Sequence, residues 1–311
     1  MALEDIGADK VDIVYEDCGV VDKTKATTAF HKLSSLDNVS VVMDVFATTA
    51  AAYAPNATRT KVPVLVLWDD NKALSSMGDY IFGFGFKTEL AGEQMAHFAV
   101  DQLKARKVAI FKLNDHWSEI ISEAFIQKFK SIGGSVVYSW QGDPTDVDLR
   151  TSILKARAAG ADTFYGPMFM QSLSALILQS KSLGFNGNIL VGDGFLDGDL
   201  DALKEKADGI FLTQAWFNNP DFQTRYETRF KRTTSPVNLT AVALGFDALK
   251  FIVFQAYSPN QITDGPSLRD RIAKGSISGV LGSFSFNRER NLGRKESILT
   301  IKDGKFALVE Q

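Results

Sequence analysis

Residues 107–194 decide the fold: KVAIFKLNDHWSEIISEAFIQKFKSIGGSVVYSWQGDPTDVDLRTSILKARAAGADTFYGPMFMQSLSALILQSKSLGFNGNILVGDG. Short apolar, β-branched runs alternate with runs of helical period. Val108–Leu113 reads as a strand, Ser118–Ser131 as a helix, and Gly133-Gly134 as its stop. Ser135–Trp140 reads as a strand, Asp148–Ala159 as a helix, and Thr163–Gly166 as a strand. Gln171–Leu183 is a helix and Asn188–Val191 a strand ending in Gly192-Asp193-Gly194. This alternation predicts βαβ units on a parallel sheet. Such sheets take ligands outside the carboxyl ends of their strands. That singles out Asn114–Trp117, Pro167–Phe169 and Asp193, polar tips mixed with aromatics that suit a small molecule.

The same pattern extends upstream. Val11–Tyr15, Val39–Met43, Val62–Leu67 and Tyr80–Phe84 read as strands. Thr24–Leu36 and Thr88–Lys104 read as helices, and another starts near Ala47-Thr48-Thr49-Ala50, where Thr48 or Thr49 can cap it. Downstream, Leu200–Lys206 is a helix and Gly209–Ala215 a strand. The helices Asp221–Arg232, Leu239–Ala256 and Pro266–Lys274 follow in succession. Val280–Phe286, Glu296–Ile301 and Lys305–Val309 read as short closing strands. Two βα halves, roughly 11–104 and 107–215, are alike in kind and share the C-terminal third.

Bulk properties narrow the function. A chain of 311 residues carries a prior of about two domains. Its net charge of −3 gives no electrostatic reason to expect nucleic acid or an anionic membrane. A single cysteine, Cys18, excludes an internal disulfide and a cysteine-rich zinc site. No unbroken run of 18 apolar residues marks a transmembrane helix, so no direct membrane insertion is expected. The start, MALEDIGADK, does not read as a signal peptide. No HExxH, dinucleotide or phosphate-loop motif occurs, so neither cofactor nor metal is expected. Of the histidines His31, His97 and His116, only His116 beside Asp115 sits at a strand end, and no nucleophile is placed with it by spacing. The chain therefore reads as a binding protein rather than an enzyme.

An ordered set of segments resembles the type I periplasmic binding proteins, in particular the branched-chain amino-acid (Leu/Ile/Val) family of ABC importers. Val11–Asp17 resembles the family's strand with its acidic pair, and Thr24–Leu33 its following helix. Asn114–Trp117 resembles its Asp-Tyr-Gly turn, Phe125–Gly134 its helix ending in Gly-Gly, and Asp143–Asp148 its Thr-Asp segment. Gly192-Asp193-Gly194 resembles its acidic turn, and Phe246-Asp247-Ala248 its Tyr-Asp-Ala helix. Gly279–Gly282 with Phe284–Phe286 resembles its closing hairpin. The set is specific through its order and covers nearly the whole chain.

The resemblance implies an α/β fold of two doubly wound parallel-sheet lobes, with three crossovers and an interlobe ligand cleft that closes about a hinge. It places the crossovers near Ala105, Trp216 and Phe284. The lobes are then 1–105 plus 217–284, and 106–216 plus 285–311. It also implies an extracytoplasmic solute-binding component of an ABC transporter, periplasmic or at the cell surface, whose partners are a small polar ligand and a membrane permease. A ligand-sensing receptor or regulatory domain of the same fold is the alternative. The family carries a strand and most of a helix before the segment matching Ala2–Ala8, so the resemblance implies a chain shortened by roughly 20 residues, most of a βα unit.

For the site, the resemblance assigns Asp193 to a ligand ammonium through a charge-assisted hydrogen bond; a plain turn aspartate is the other reading. Thr48 and Thr49 fall where relatives hold a ligand carboxylate at a helix start, or else only cap that helix. Ala47 stands where serine is frequent. Trp68-Asp69-Asp70-Asn71 departs from the family, because two aspartates repel a carboxylate. A cleft-facing aspartate implies a cationic or hydroxyl-rich ligand. If both aspartates face solvent, only Trp68 and Asn71 approach it. Trp117 replaces a cleft tyrosine, and with Phe46, Trp68, Phe169 and Trp216 it can form an aromatic wall. The candidate ligand-binding set is Thr48, Thr49, Trp68, Asp69, Asn71, Trp117, Phe169 and Asp193.

Overall fold

The computed structural model describes residues 1–7, 11–19, 22–256 and 264–309. The chain forms two compact units. Met1–Lys87 joins Phe217–Arg294, and Thr88–Trp216 joins Lys295–Gln311.

The first unit opens with helices α1 (Ala2–Ile6) and α2 (Lys23–His31). Asp22 caps α2 by accepting the N–H groups of Thr24 and Lys25. Then come β1 (Val42–Asp44), α3 (Ala47–Thr60), β2 (Val64–Val66), β3 (Asp69–Asp70), α4 (Lys72–Ser76), β4 (Ile81–Gly83) and β5 (Phe86–Lys87). β1, β2 and β4 form a parallel three-stranded sheet in that order, and β3 pairs with β5. Val11–Tyr15 is not a strand: it is irregular, with Val14 and Tyr15 exposed. A strand exists through its ladder, and no strand among the described residues pairs with this segment. α2 and α3 cover the sheet with small residues, Ala26, Ala50, Ala54 and Ala57, around a stacked Phe30–Tyr53 pair 4.4 Å between centroids.

The second unit carries α5 (Thr88–Asp101), β6 (Lys107–Leu113), α6 (His116–Ser131), β7 (Ser135–Gly142), α7 (Arg150–Ala158), β8 (Thr163–Gly166), α8 (Met170–Ser182), β9 (Asn188–Val191), α9 (Asp197–Leu203) and β10 (Phe211–Gln214). In α6, Trp117, Ile121, Phe125 and Phe129 recur every four residues and are buried together on one stripe. Asp115 accepts the Ser118 N–H at 3.0 Å to start that helix, while Lys128 and Lys130 face its negative C-terminal end. Phe125 stacks on Tyr165 at 4.0 Å, joining α6 to the sheet. Each such side chain, once fully buried, contributes about 1.5–3 kcal/mol.

The chain returns to the first unit through α10 (Pro220–Phe230), α11 (Pro236–Ala256), α12 (Gly265–Lys274) and the hairpin β11 (Ser276–Gly279) and β12 (Gly282–Ser285). It finishes in the second unit with β13 (Ser297–Lys302) and β14 (Lys305–Leu308). Val280–Phe286 is thus not one strand, because Val280 and Leu281 form the hairpin turn. Asp247 on α11 accepts both their N–H groups, at 2.9 and 3.0 Å. α11 is the one helix among the described residues long and apolar enough to cross a membrane. Half of that stretch is buried inside the protein, and Asp247 interrupts it.

The second sheet runs β14-β13-β10-β9-β8-β6-β7, with β13 and β14 antiparallel and the rest parallel. Sequence pattern puts Thr88–Lys104 in the first lobe, yet α5 belongs to the second unit. α5 lies so close to α6 that a Cβ on Gly92 would stand 2.4 Å from the Ile121 carbonyl oxygen. Residues 285–294 stay with the first unit, tied by Leu292 and Gly293 to Asp70.

Gly85 shows how tightly the first unit holds the Trp68 segment. A Cβ there would lie 1.8 Å from the Trp68 carbonyl oxygen, which accepts the Phe86 N–H at 3.0 Å. Gly85→Ala forces the backbone apart, and urea unfolding is expected to show a loss of about 1–3 kcal/mol.

Candidate functional site

In the second unit the chain leaves β6 towards β7 on one side, then crosses back to β8 on the other. The strand order reverses between β6 and β8, so their carboxyl ends open a crevice of the kind in which doubly wound sheets bind ligands. Trp117 follows β6, Phe169 follows β8 and Asp193 follows β9. The structure brings all three together. The Trp117 ring lies 5.9 Å from that of Phe169. Its Nε1–H donates to Asp193 Oδ1 at 3.0 Å. Trp117 also packs on Ala91 and Ile121. Trp117 and Asp193 are buried, and Phe169 is half-buried.

The glycines around Asp193 make this contact possible. A Cβ on Gly192 would meet the indole at 3.1 Å, and one on Gly194 would stand 2.4 Å from the Met168 carbonyl oxygen and 3.2 Å from the indole. Two polar residues absent from the sequence-based set hold the crevice. Ser118 Oγ donates to the Pro167 carbonyl at 2.7 Å and accepts the Leu113 N–H at 2.9 Å, locking the β6 end to the β8 end. Gln214 Nε2 donates to the carbonyls of Asp193 and Phe195, each at 3.1 Å, fixing the acidic turn. Their only signal in sequence is a polar side chain inside an apolar pattern.

The first unit presents its candidates at the ends of β1 and β2. α3 starts without a side-chain cap; Phe46 occupies the cap position. Thr48 is half-buried, and Thr49 is turned inward, donating to Asp44 Oδ1 (2.9 Å) or to the Phe46 carbonyl (2.8 Å). Neither caps the helix. Instead the Ala47 N–H donates to Asp69 Oδ2 at 2.6 Å, a charge-assisted bond from 22 residues away. Asp69 and Asp70 are both buried, so the reading in which they face solvent does not hold. Asp70 Oδ2 accepts the N–H groups of Leu292 (3.0 Å) and Gly293 (2.7 Å). Asn71 is buried and caps α4 through the Ala73 N–H at 3.1 Å. Trp68 is half-buried and meets Phe86 edge-on at 6.2 Å.

The remaining candidates divide. Phe46 and Trp216 are half-buried. His116 is exposed and Asp115 is a helix cap, so the pair forms a helix start. Burial pushes the Asp115 carboxyl above its usual range, against the lowering effect of the N–H groups it accepts. Among the described residues no group of three acidic, histidine or cysteine side chains is placed to hold a metal ion.

Three solved structures illustrate the likeness of fold. A leucine-binding protein from Thermotoga maritima superposes with a TM-score of 0.89 at 22% identity, covering 99% of this chain and 90% of its own. The branched-chain amino-acid transporter substrate-binding protein of Streptococcus pneumoniae, in complex with isoleucine, gives 0.86 at 22% identity, covering 98% and 90%. An ABC-transporter solute-binding protein from R. palustris, in complex with benzoate, gives 0.84 at 17% identity, covering 99% and 88%. No curated protein matches this chain in sequence. The family model for periplasmic binding proteins matches residues 1–304. With nearly the whole chain matched and the doubly wound units in place, this protein belongs to the periplasmic binding protein family.

Proposed function

We propose that the protein is the extracytoplasmic solute-binding component of an ABC importer, capturing a small polar organic molecule and delivering it to a membrane permease. The observation that carries this reading is the meeting of Trp117, Phe169 and Asp193 at the strand-order reversal of the second sheet. An aromatic pair beside a buried carboxylate offers stacking and one strong polar anchor, which is what reversible capture of a small solute needs. In the first unit, Thr48 and the Trp68–Asp69 segment are further ligand-binding candidates, and Asn71 supports that segment as the cap of α4. The role is capture without chemical change, and family membership supports it, as does the setting of His116 and Asp115 at a helix start.

A melting-curve screen tests the reading. The panel holds amino acids, amides, aromatic acids, polyamines, betaines and sugars. A solute present at about 100 times its dissociation constant adds about 2.7 kcal/mol to stability. One chemical class is expected to raise the melting temperature. A cooperative melt that no member shifts would count against solute capture.

A further inference from the structure

We propose that Gln214 is a positioning residue that couples the Asp193 turn to two of the three places where the chain passes between its units, so that the turn and these crossovers move together. The inference rests on the solute-binding reading above for its use, since that reading places the solute at the Asp193 turn. The coupling itself is read from the bonds of Gln214.

The ladder between β9 and β10 is short. It pairs Phe211 with Leu190 and Leu212 with Val191, and it ends there. Past Val191 the chain turns through Gly192–Phe195, where the Phe195 N–H meets the Gly192 carbonyl at 3.3 Å. The side chain of Gln214 takes over from the ladder. Its Nε2 donates to the carbonyls of Asp193 and Phe195, and its Oε1 accepts the Ala215 N–H at 2.8 Å. A primary amide offers two N–H donors and one carbonyl, and here each is engaged. Gln214, Asp193, Phe195 and Ala215 are all buried, so water does not stand ready to replace these bonds. A side chain without the amide leaves buried backbone groups unpaired.

The same residue sits where two crossovers meet the second sheet. The chain leaves the second unit after Trp216 and re-enters it at Lys295. Gln214 closes β10 just before the first of these, and its partner in β13 is Ser297, just after the second. On the crevice side, Asp193 accepts the Trp117 indole N–H at 3.0 Å. The path from the indole to both crossovers runs through Trp117, Asp193, Gln214 and Ser297, each step a hydrogen bond or a strand pairing. A shift of the turn therefore pulls on the end of β10 and the start of β13 through one amide group.

The test needs no solute. Amide hydrogen exchange on the whole chain, read by mass spectrometry, compares the wild type with Gln214→Met and Gln214→Glu, each first checked for a cooperative melt. Methionine keeps the length of the side chain and loses all three bonds, whereas glutamate keeps an acceptor for the Ala215 N–H and loses the amide donors. In the wild type, peptides covering 192–196 and 214–217 are expected to have protection factors within about threefold of each other, as parts that open together. In both variants, protection of 192–196 is expected to fall about tenfold or more, while β6 stays within about twofold of wild type. The Trp117 indole proton, followed by NMR, is expected to shift and to exchange faster as Asp193 moves. If Gln214 only adds stability, β6 loses protection as much as the turn does, and the indole resonance of the folded variants stays in place. Either result overturns the proposal. So does a wild type in which the two peptides differ by more than about threefold, a comparison that stands even where neither variant folds. Silence across the solute panel removes solute capture and leaves this coupling standing, so the two readings fail separately.

Discussion

Trp117→Ala is expected to destabilise the second unit by about 3–5 kcal/mol and to remove the solute-induced rise in melting temperature. The indole is buried, packed against Ala91, Ile121 and Phe169, and lies against the Gly192–Gly194 backbone. Truncation leaves a cavity that this backbone cannot fill without moving. It also takes from Asp193 a donor at 3.0 Å. Trp117→Phe separates the two effects. It keeps most of the apolar volume and loses the N–H, which leaves the buried carboxylate one donor short at a cost of about 1–3 kcal/mol. Urea unfolding should therefore rank wild type above Trp117→Phe and Trp117→Phe above Trp117→Ala. A Trp117→Ala variant within 1 kcal/mol of wild type, on the scale of an ordinary surface change, would show that the ring is not part of the core.

Asp70→Ala is expected to cost the first unit about 3–5 kcal/mol, as does breaking a buried charge pair by removing one partner. Asp70 is fully buried and accepts the N–H groups of Leu292 and Gly293. Its charge, with that of Asp247, supports the Arg294 guanidinium, which burial pulls down to about 10. That guanidinium lies over the rings of Phe84 (5.1 Å) and Phe284 (4.8 Å), where water cannot replace a lost carboxylate. Asp70→Asn keeps a carbonyl oxygen that can take both N–H groups, since both go to the single Oδ2, but it removes the charge, and it should fall between wild type and Asp70→Ala in urea. Equal stability of all three proteins would remove Asp70 from the structural account.

The second unit was the more legible in sequence. Thr163–Gly166 and Asn188–Val191 fall where the pattern puts them, because glycine or proline follows each run and helices of clear period separate them. Phe169 and Asp193 follow those two strands, and there they meet Trp117, which follows β6. What the pattern missed depends on long-range partners. Val11–Tyr15 has the composition of a strand but no ladder. Val280-Leu281 is apolar yet forms a turn, because Asp247, 33 residues earlier, collects its N–H groups. Thr48 and Thr49 have the chemistry of caps, but Asp69 reaches the helix start first. Local propensity says what a segment prefers, whereas these outcomes are fixed by what arrives from elsewhere in the chain.

The bond between the Trp117 indole and the Asp193 carboxylate has an optical consequence. Indole emission responds to charge and hydrogen bonding at the ring nitrogen, and here that nitrogen is tied to the proposed anchor for solute. A molecule that draws on the Asp193 carboxylate changes the field felt by the fluorophore. The protein thus carries its own reporter, and a Trp68→Phe, Trp140→Phe, Trp216→Phe background would leave that one ring to signal occupancy without a label.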